Sequence, residues 1–189
     1  MRVLLHVCCG PCTIEPYEDL VGRGHEVTGY FCNPNIHPFI EFRRRMKAQK
    51  VLAERMAIPT EYEERYGLRE FLENVRWSGD ERCGDCYRLR LSRAAREAAR
   101  RGFDAVTTTL LSSRHQDHDL VRAVAQECCR ECGVEFLYED WRPRADESYR
   151  RARAMNLYMQ NYCGCMFSEW ERFRNTSRHL YREPGAEGG

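Results

Sequence analysis

Val3-Leu4-Leu5-His6-Val7-Cys8-Cys9-Gly10-Pro11-Cys12 joins a strand-length apolar run to three cysteines in a turn containing glycine and proline. A run apolar on both faces predicts a strand buried on both sides, as in a parallel sheet covered by helices. The remaining chain alternates to match. Strands are predicted at residues 2–7, 26–31, 58–62, 104–111 and 134–138, and helices at 11–21, 39–57, 68–75 and 89–101. Ser113 with Gln116 resembles a capping box for a helix running through Glu131, and Gly133 suits its C-cap. From Ser148 the pattern is helical, with a break at Cys163-Gly164-Cys165. The expected fold is α/β, a mostly parallel sheet with helices on both faces and a C-terminal helical segment. One domain is expected over residues 1–183, with 184–189 as a flexible tail. Ligands of such sheets sit beyond the carboxyl ends of the strands, which is where Cys8 and Cys9 fall.

The 189 residues are 42% hydrophobic, enough for a core, and no stretch approaches the roughly 20 apolar residues of a membrane span. No signal-peptide pattern follows Met1-Arg2, so a reducing cytoplasm is expected. The net charge of +1 conceals a bias: of 30 basic residues only Lys47 and Lys50 are lysine, leaving 28 arginines. Arginine suits bidentate phosphate contacts and stacking on bases, which points to nucleic acid, although a general compositional preference for arginine gives the same count. Neither a G-x-G-x-x-G nor a P-loop pattern follows the first strand, so a nucleotide-phosphate cradle is not expected there.

Eleven cysteines cannot all pair within one chain. Cys8, Cys9 and Cys12, then Cys83 and Cys86, then Cys163 and Cys165 lie at turns or element boundaries, whereas Cys128, Cys129 and Cys132 fall in a helical pattern and read as packing. Soft thiolates hold iron, iron-sulfur clusters or zinc. Cys8 and Cys9 with Cys83 and Cys86 would close a four-thiolate site. The vicinal pair is less usual for structural zinc than paired C-x-x-C knuckles, so a [4Fe-4S] cluster is favoured. Cys12 is a further ligand or a spare thiol near a helix start. Cys163 and Cys165 read either as a redox dithiol, whose one-glycine disulfide would be strained and readily reduced, or as ligands of a second metal.

Five blocks together resemble a known family. They are His6-x-Cys8-Cys9-x-Pro11-Cys12, Asn33-Pro34-Asn35-Ile36-His37-Pro38, Arg82-Cys83-x-x-Cys86-Tyr87-x-Leu89-Arg90-Leu91, Thr108-Thr109-Leu110-Leu111 and Tyr162-Cys163-Gly164-Cys165, and they resemble the cobalamin-independent epoxyqueuosine reductases over residues 4–168. The resemblance implies a HUP-like sheet related to the PP-loop ATPases, an iron-sulfur centre with further iron nearby, and reduction of epoxyqueuosine to queuosine in the tRNA anticodon. The chain departs at Met159, where the family carries an arginine between the tyrosine and glutamine; Arg150, Arg151 and Arg153 are available for that contact.

Opening an epoxide to an alkene with loss of water takes two electrons and two protons. A cluster passes electrons singly, so Cys163 and Cys165 or a second iron would answer the mismatch, and an external donor must recharge the site. His6 is a candidate proton donor, or a partner of a cluster sulfur, or a satisfied core histidine. Asp85 offers an oxygen ligand to a second iron, or simply solvates its loop. Asn33, Asn35 and His37 would read a base edge or form turns. Trp77, Tyr87, Trp141 and Tyr162 are candidates for stacking a flipped base, or for packing. Two helices carry the basic residues: Arg43, Arg44, Arg45, Lys47 and Lys50 on one, Arg88, Arg90, Arg93, Arg96, Arg100 and Arg101 on the other. His115, Asp117, His118 and Asp119 look like a hard-metal run but suit a helix N-terminus equally well. A zinc-binding nucleic-acid module and a metal-free thiol oxidoreductase remain the alternative functions.

Overall fold

Five strands form one parallel sheet in the order β3-β2-β1-β4-β5, with β1 at Arg2–His6, β2 at Glu26–Phe31, β3 at Thr60–Tyr62, β4 at Ala105–Thr108 and β5 at Glu135–Phe136. The computed structural model describes residues 1–77 and 81–176; the tail expected at 184–189 lies outside the described residues. The central strand is the one whose sequence is apolar on both faces. Val3, Leu4 and Leu5 are fully buried, and the strand pairs in parallel with β2 (Leu4 beside Thr28) and with β4 (Leu4 beside Val106). Truncating such a leucine to alanine costs about 2–5 kcal/mol.

Helix α1 (Ile14–Gly22) links β1 to β2 and α2 (Phe39–Arg55) links β2 to β3. After β3 come α3 (Leu68–Asn74) and α4 (Arg82–Arg101), which return the chain to β4, and α5 (His118–Cys132) leads to β5. Right-handed crossovers place α1 and α2 on one face of the sheet and α5 on the other, where α4 packs against it. Ile14, Leu52, Ala53, Ile58, Ala152 and Leu157 bury one side, which includes α6 (Ala145–Ala154). Helix α7 (Met166–Phe173) ends the described chain.

Three local expectations are corrected. The C-x-x-C segment is the first turn of α4 rather than a loop before it: Glu81 is the N-cap, and Asp85 in the first turn meets the positive end of the helix dipole. The Ser113/Gln116 capping box does not form. Asp117 caps α5 by accepting from the Leu120 amide at 3.0 Å, and Ser113 instead accepts from the His115 amide within a turn. The strand expected to reach Leu111 stops at Thr108, because Thr109–Ser112 coils into a 3-10 turn that brings the Thr109 hydroxyl to Cys8. No described helix is long and apolar enough to cross a membrane.

Candidate metal centre

The switch in strand order lies between β1 and β4, and at their carboxyl ends the chain delivers Cys8 and Thr109 side by side. The Thr109 hydroxyl donates to Cys8 Sγ at 3.1 Å and accepts from the Cys8 amide at 3.0 Å. The turn into α1 then returns Cys12 toward the same point, so that the sulfurs of Cys8, Cys9 and Cys12 all lie within 4.8 Å of one another. Cys9 and Cys12 are 1% and 4% exposed. From the far end of the chain, Gln160 donates Nε2–H to Cys9 Sγ at 2.8 Å, and Tyr149 places its hydroxyl 3.9 Å from Cys12 Sγ.

These three thiols share their protons unequally. Hydrogen bonds from the Cys12 and Cys9 thiols, the Arg90 charge and the Thr109 hydroxyl hold Cys8 well below the ordinary thiol range, against the opposing cost of burial. Donation to Cys8 raises Cys12, and burial raises Cys9. Cys8 is therefore the thiol of the triad most readily deprotonated, and a soft cation bound there would displace protons from the set.

The second thiol group is carried differently. Cys83 and Cys86 sit one helical turn apart in α4, Cys83 exposed and Cys86 buried, and burial raises both thiols. Cys163 and Cys165 lie within electrostatic reach of Cys86. Their turn is clamped from α2: Arg45 donates to the carbonyls of Cys163 (2.7 Å) and Tyr162 (2.9 Å) while its Nε pairs with Glu41 at 2.7 Å, and both Arg45 and Glu41 are buried. Gly164 has a φ of +133°, and a Cβ there would stand 3.1 Å from the Arg45 guanidinium, so any other residue would be strained. Gln116 donates to Cys163 Sγ at 3.4 Å and accepts from the Tyr87 hydroxyl at 2.8 Å. Cys165 Sγ caps α7 by accepting from the Ser168 amide at 3.4 Å. All eleven cysteines are free thiols in the structure.

Arg90 tests whether this pocket suits a metal. It is 1% exposed, and among the described residues its guanidinium makes one hydrogen bond, from Nη2 to Asn33 Oδ1 at 2.8 Å, leaves Nε and Nη1 without a partner and pairs with no carboxylate. A buried guanidinium without a counter-ion costs several kcal/mol. It lies within electrostatic reach of Cys86, Cys8, Cys163 and Tyr87. Thiolates around an inorganic cluster carry net negative charge and supply its counter-charge. The soft donor set and the orphaned cation both fit a thiolate-bound metal.

The remaining predicted residues fall around this pocket in unequal roles. His6 is fully buried, with Nε2 3.1 Å from the Cys32 carbonyl and Nδ1 2.8 Å from the Thr108 hydroxyl, so it ties β1 to its neighbours; burial and then Arg90 lower its pKa to about 3. Asn33 bridges the Val7 carbonyl and Arg90, and Arg90 faces thiols rather than solvent. Asn35 is buried with neither amide atom partnered, and His37 bonds Tyr66 through Nδ1 while Nε2 is free. Tyr162 donates to the His37 carbonyl at 2.5 Å. Asp85 is gripped by Arg76 through three nitrogens, at 2.7, 2.8 and 3.1 Å. Trp77 is 68% exposed beside the C-x-x-C turn, whereas Tyr87 and Trp141 are buried packing. His118 bonds the Tyr138 hydroxyl and Asp117 is a helix cap, as expected of an ordinary helix start. Arg150 and Arg151 are committed to Glu147, Glu15 and Glu18, which leaves Arg153 as the one of those three without a carboxylate partner among the described residues.

Sequence reasoning missed Thr109, Gln116 and Gln160 as partners of sulfur, and Arg45 as the clamp. Thr109 lies in a block that carries the family resemblance and Gln160 precedes Cys163 by three residues, whereas Gln116 read as part of a capping box and Arg45 as one of several basic residues on a helix.

The sequence model of the family described as Epoxyqueuosine reductase QueH matches residues 3–171. Curated relatives of that name include a protein of Dehalococcoides mccartyi, 37% identical over 172 residues that cover 91% of this chain and 94% of the relative. A Thermotoga maritima protein is 30% identical over 196 residues, 97% of each chain, and a Helicobacter pylori protein 32% identical over 180 residues, 88% of this chain and 49% of the relative. With the matched region spanning both thiol groups and the arginine between them, the chain belongs to the epoxyqueuosine reductase QueH family.

Proposed function

We propose that this protein reduces epoxyqueuosine to queuosine at the wobble position of tRNA, in the cytoplasm, with electrons from an external donor. The observation that carries the chemistry is the buried set of three thiols under an unpaired guanidinium. Cys8, Cys9, Cys83 and Cys86 are assigned to a [4Fe-4S] cluster, with Cys12 as an adjacent ligand. When bound, the cluster would supply single electrons, and a second iron would polarise the epoxide oxygen.

The chain's own residues do the rest. Thr109 and Gln160 aim hydrogens at Cys8 and Cys9 and so fix the donor atoms in place. Arg90 holds the pocket's charge. Cys163 and Cys165, steadied by Gln116 and by the Arg45 clamp, are assigned to the second redox role, as a dithiol or as ligands of the second iron with Asp85 nearby. As a dithiol they balance the reaction: two thiols give a disulfide, two electrons and two protons, and the epoxide takes up both pairs to become an alkene and water. Asn35, whose amide atoms lack partners, His37, whose Nε2 lacks one, and Tyr162 are the residues assigned to the substrate, with Trp77, Asn33 and Arg90. His6 supports the strand end at Cys8 through the Cys32 carbonyl and the Thr108 hydroxyl, and it is assigned as a proton donor or a partner of a cluster sulfur.

Anaerobic incubation of the iron-loaded protein with epoxyqueuosine-containing tRNA and a chemical reductant, followed by nucleoside mass analysis, tests the assignment. Queuosine should appear with the native protein and not with Cys9→Ser or Cys83→Ser proteins that are folded by circular dichroism. A colourless protein with tight zinc would instead support a nucleic-acid module. A Cys163→Ser protein that keeps its colour and loses turnover assigns the dithiol role; one that loses both assigns a metal ligand.

A further inference from the structure

The arginine-rich helices α2 and α4 do not use their charges alike. On α4, Arg88 pairs with Glu127 and Glu131, Arg93 with Glu63 and Glu70, Arg100 with Glu97, and Arg101 with Glu61 and Glu97, which leaves Arg96, bonded only to the Ser92 hydroxyl, as a single exposed arginine there without a carboxylate partner among the described residues. On α2, Arg43, Arg44 and Lys47 are all exposed, and none of them has a carboxylate partner among the described residues. With Ile40 they are spaced by three and four, so they share one face over about 10 Å of helix. Phe39 and Ile40 extend that face with apolar surface, 51% and 57% exposed. Arg43 lies 5.9 Å from the Phe39 ring centroid and Arg44 5.7 Å from that of Tyr158.

This face adjoins the thiol pocket through a continuous chain of bonds. The Tyr158 hydroxyl donates to Glu41 at 2.5 Å, Glu41 holds Arg45 at 2.7 Å, and Arg45 carries the backbone of Tyr162 and Cys163. Three cations left without acids, next to exposed apolar side chains, match the phosphates and unstacked bases of a single-stranded RNA loop. An acidic protein surface would satisfy the charges and leave Phe39 and Ile40 without a base to cover them.

We propose that the Phe39–Lys47 face of α2 is where the RNA loop carrying the substrate base docks, with Arg43, Arg44 and Lys47 on its phosphates and Phe39 and Ile40 against its bases. The inference rests on the proposed action on tRNA and names the surface that serves it.

Binding of a fluorescent anticodon stem-loop to the holoprotein, followed by anisotropy over a range of salt, separates the two ideas. The triple variant Arg43→Ala/Arg44→Ala/Lys47→Ala should bind at least about tenfold more weakly and lower the slope of log affinity against log salt by about 2, since each lost phosphate contact removes roughly 0.7–0.9. Arg88→Ala/Arg100→Ala/Arg101→Ala removes the same charge from α4 and should stay within about twofold of the native protein. Melting temperature and visible absorbance of both variants verify folding and loading. Native binding with an unchanged triple variant overturns the docking face and leaves the reductase reading standing. Unchanged RNA binding with impaired reduction by an acidic iron-sulfur electron carrier overturns it in favour of a protein partner. Failure of the native protein to bind or turn over tRNA overturns both readings.

Discussion

Cys8, Cys9 and Cys12 are gathered within 4.8 Å by a strand end, a tight turn and hydrogen bonds from Thr109 and Gln160, whereas Cys83 and Cys86 depend on the first turn of a helix and Cys163 and Cys165 on a turn clamped from a third element. The first group is set by the centre of the sheet, the most buried part of the molecule. The second is spread over the start of α4 and the turn before α7, which Arg45 ties to α2 while Arg90 ties α4 to Asn33. A pocket assembled this way has a rigid half and an adjustable half, and the same two arginines provide its positive charge.

Substitutions can break this contrast. Cys9→Ser, in the rigid half, should abolish iron binding and reduce queuosine formation to background, read by iron analysis and nucleoside mass; a variant that kept both would remove the strand-end thiols from the metal site. Arg45→Met leaves Glu41 buried without its partner, and breaking a buried pair costs about 3–5 kcal/mol. Urea unfolding should register that loss, with iron bound by the strand-end thiols retained in whatever protein folds. Gln160→Leu and Gln116→Leu sharpen the comparison: each should cost about 10–100-fold, the first in metal retention and the second in turnover with metal retained. Equal effects on both quantities would merge the two halves.

Acid titration probes the central strand more gently. His6 has a pKa near 3 in the folded protein, against about 6.5 when unfolded. Its contribution to stability is therefore complete above about pH 6.5 and is lost progressively as the pH falls from there toward 3, because the unfolded chain takes up the proton first. The pH slope of urea midpoints between 6.5 and 4 should be shallower in His6→Gln, and an identical slope would show that another group governs it. At the small end, Arg100→Ala removes an exposed pair with Glu97 and should leave the urea midpoint essentially unchanged, because solvent screens such a pair.

Much of the α/β frame was legible, since the continuous apolar run of β1, the Val- and Thr-rich β4 and the intervening helical periods are local patterns read by burial. β2 begins and ends where its pattern indicates, at Glu26 and Phe31. The start of α4 was not legible, because Gly84 in the C-x-x-C reads as a turn until the Glu81 cap and the packing of α4 on α5 are known. The cysteines were legible as a class of chemistry. Cys8, Cys9 and Cys12 were legible as one group from their spacing; what the return of the chain into α1 adds is the approach of their sulfurs to within 4.8 Å.

Sequence alone determined that a buried parallel strand ends in thiols and that three thiol-rich segments occur in one chain, because residue type and short-range period are enough to set strand burial and donor softness. Only the tertiary structure decided which arginines are neutralised and which are not. Arg90 reads like its neighbours on α4, yet it alone of them points inward without an acid, and Arg43, Arg44 and Lys47 read like the arginines of α4 until their lack of carboxylates is seen. The reason is physical: a charge acquires its meaning from the groups within a few ångströms of it in space, and those groups come from segments tens of residues away.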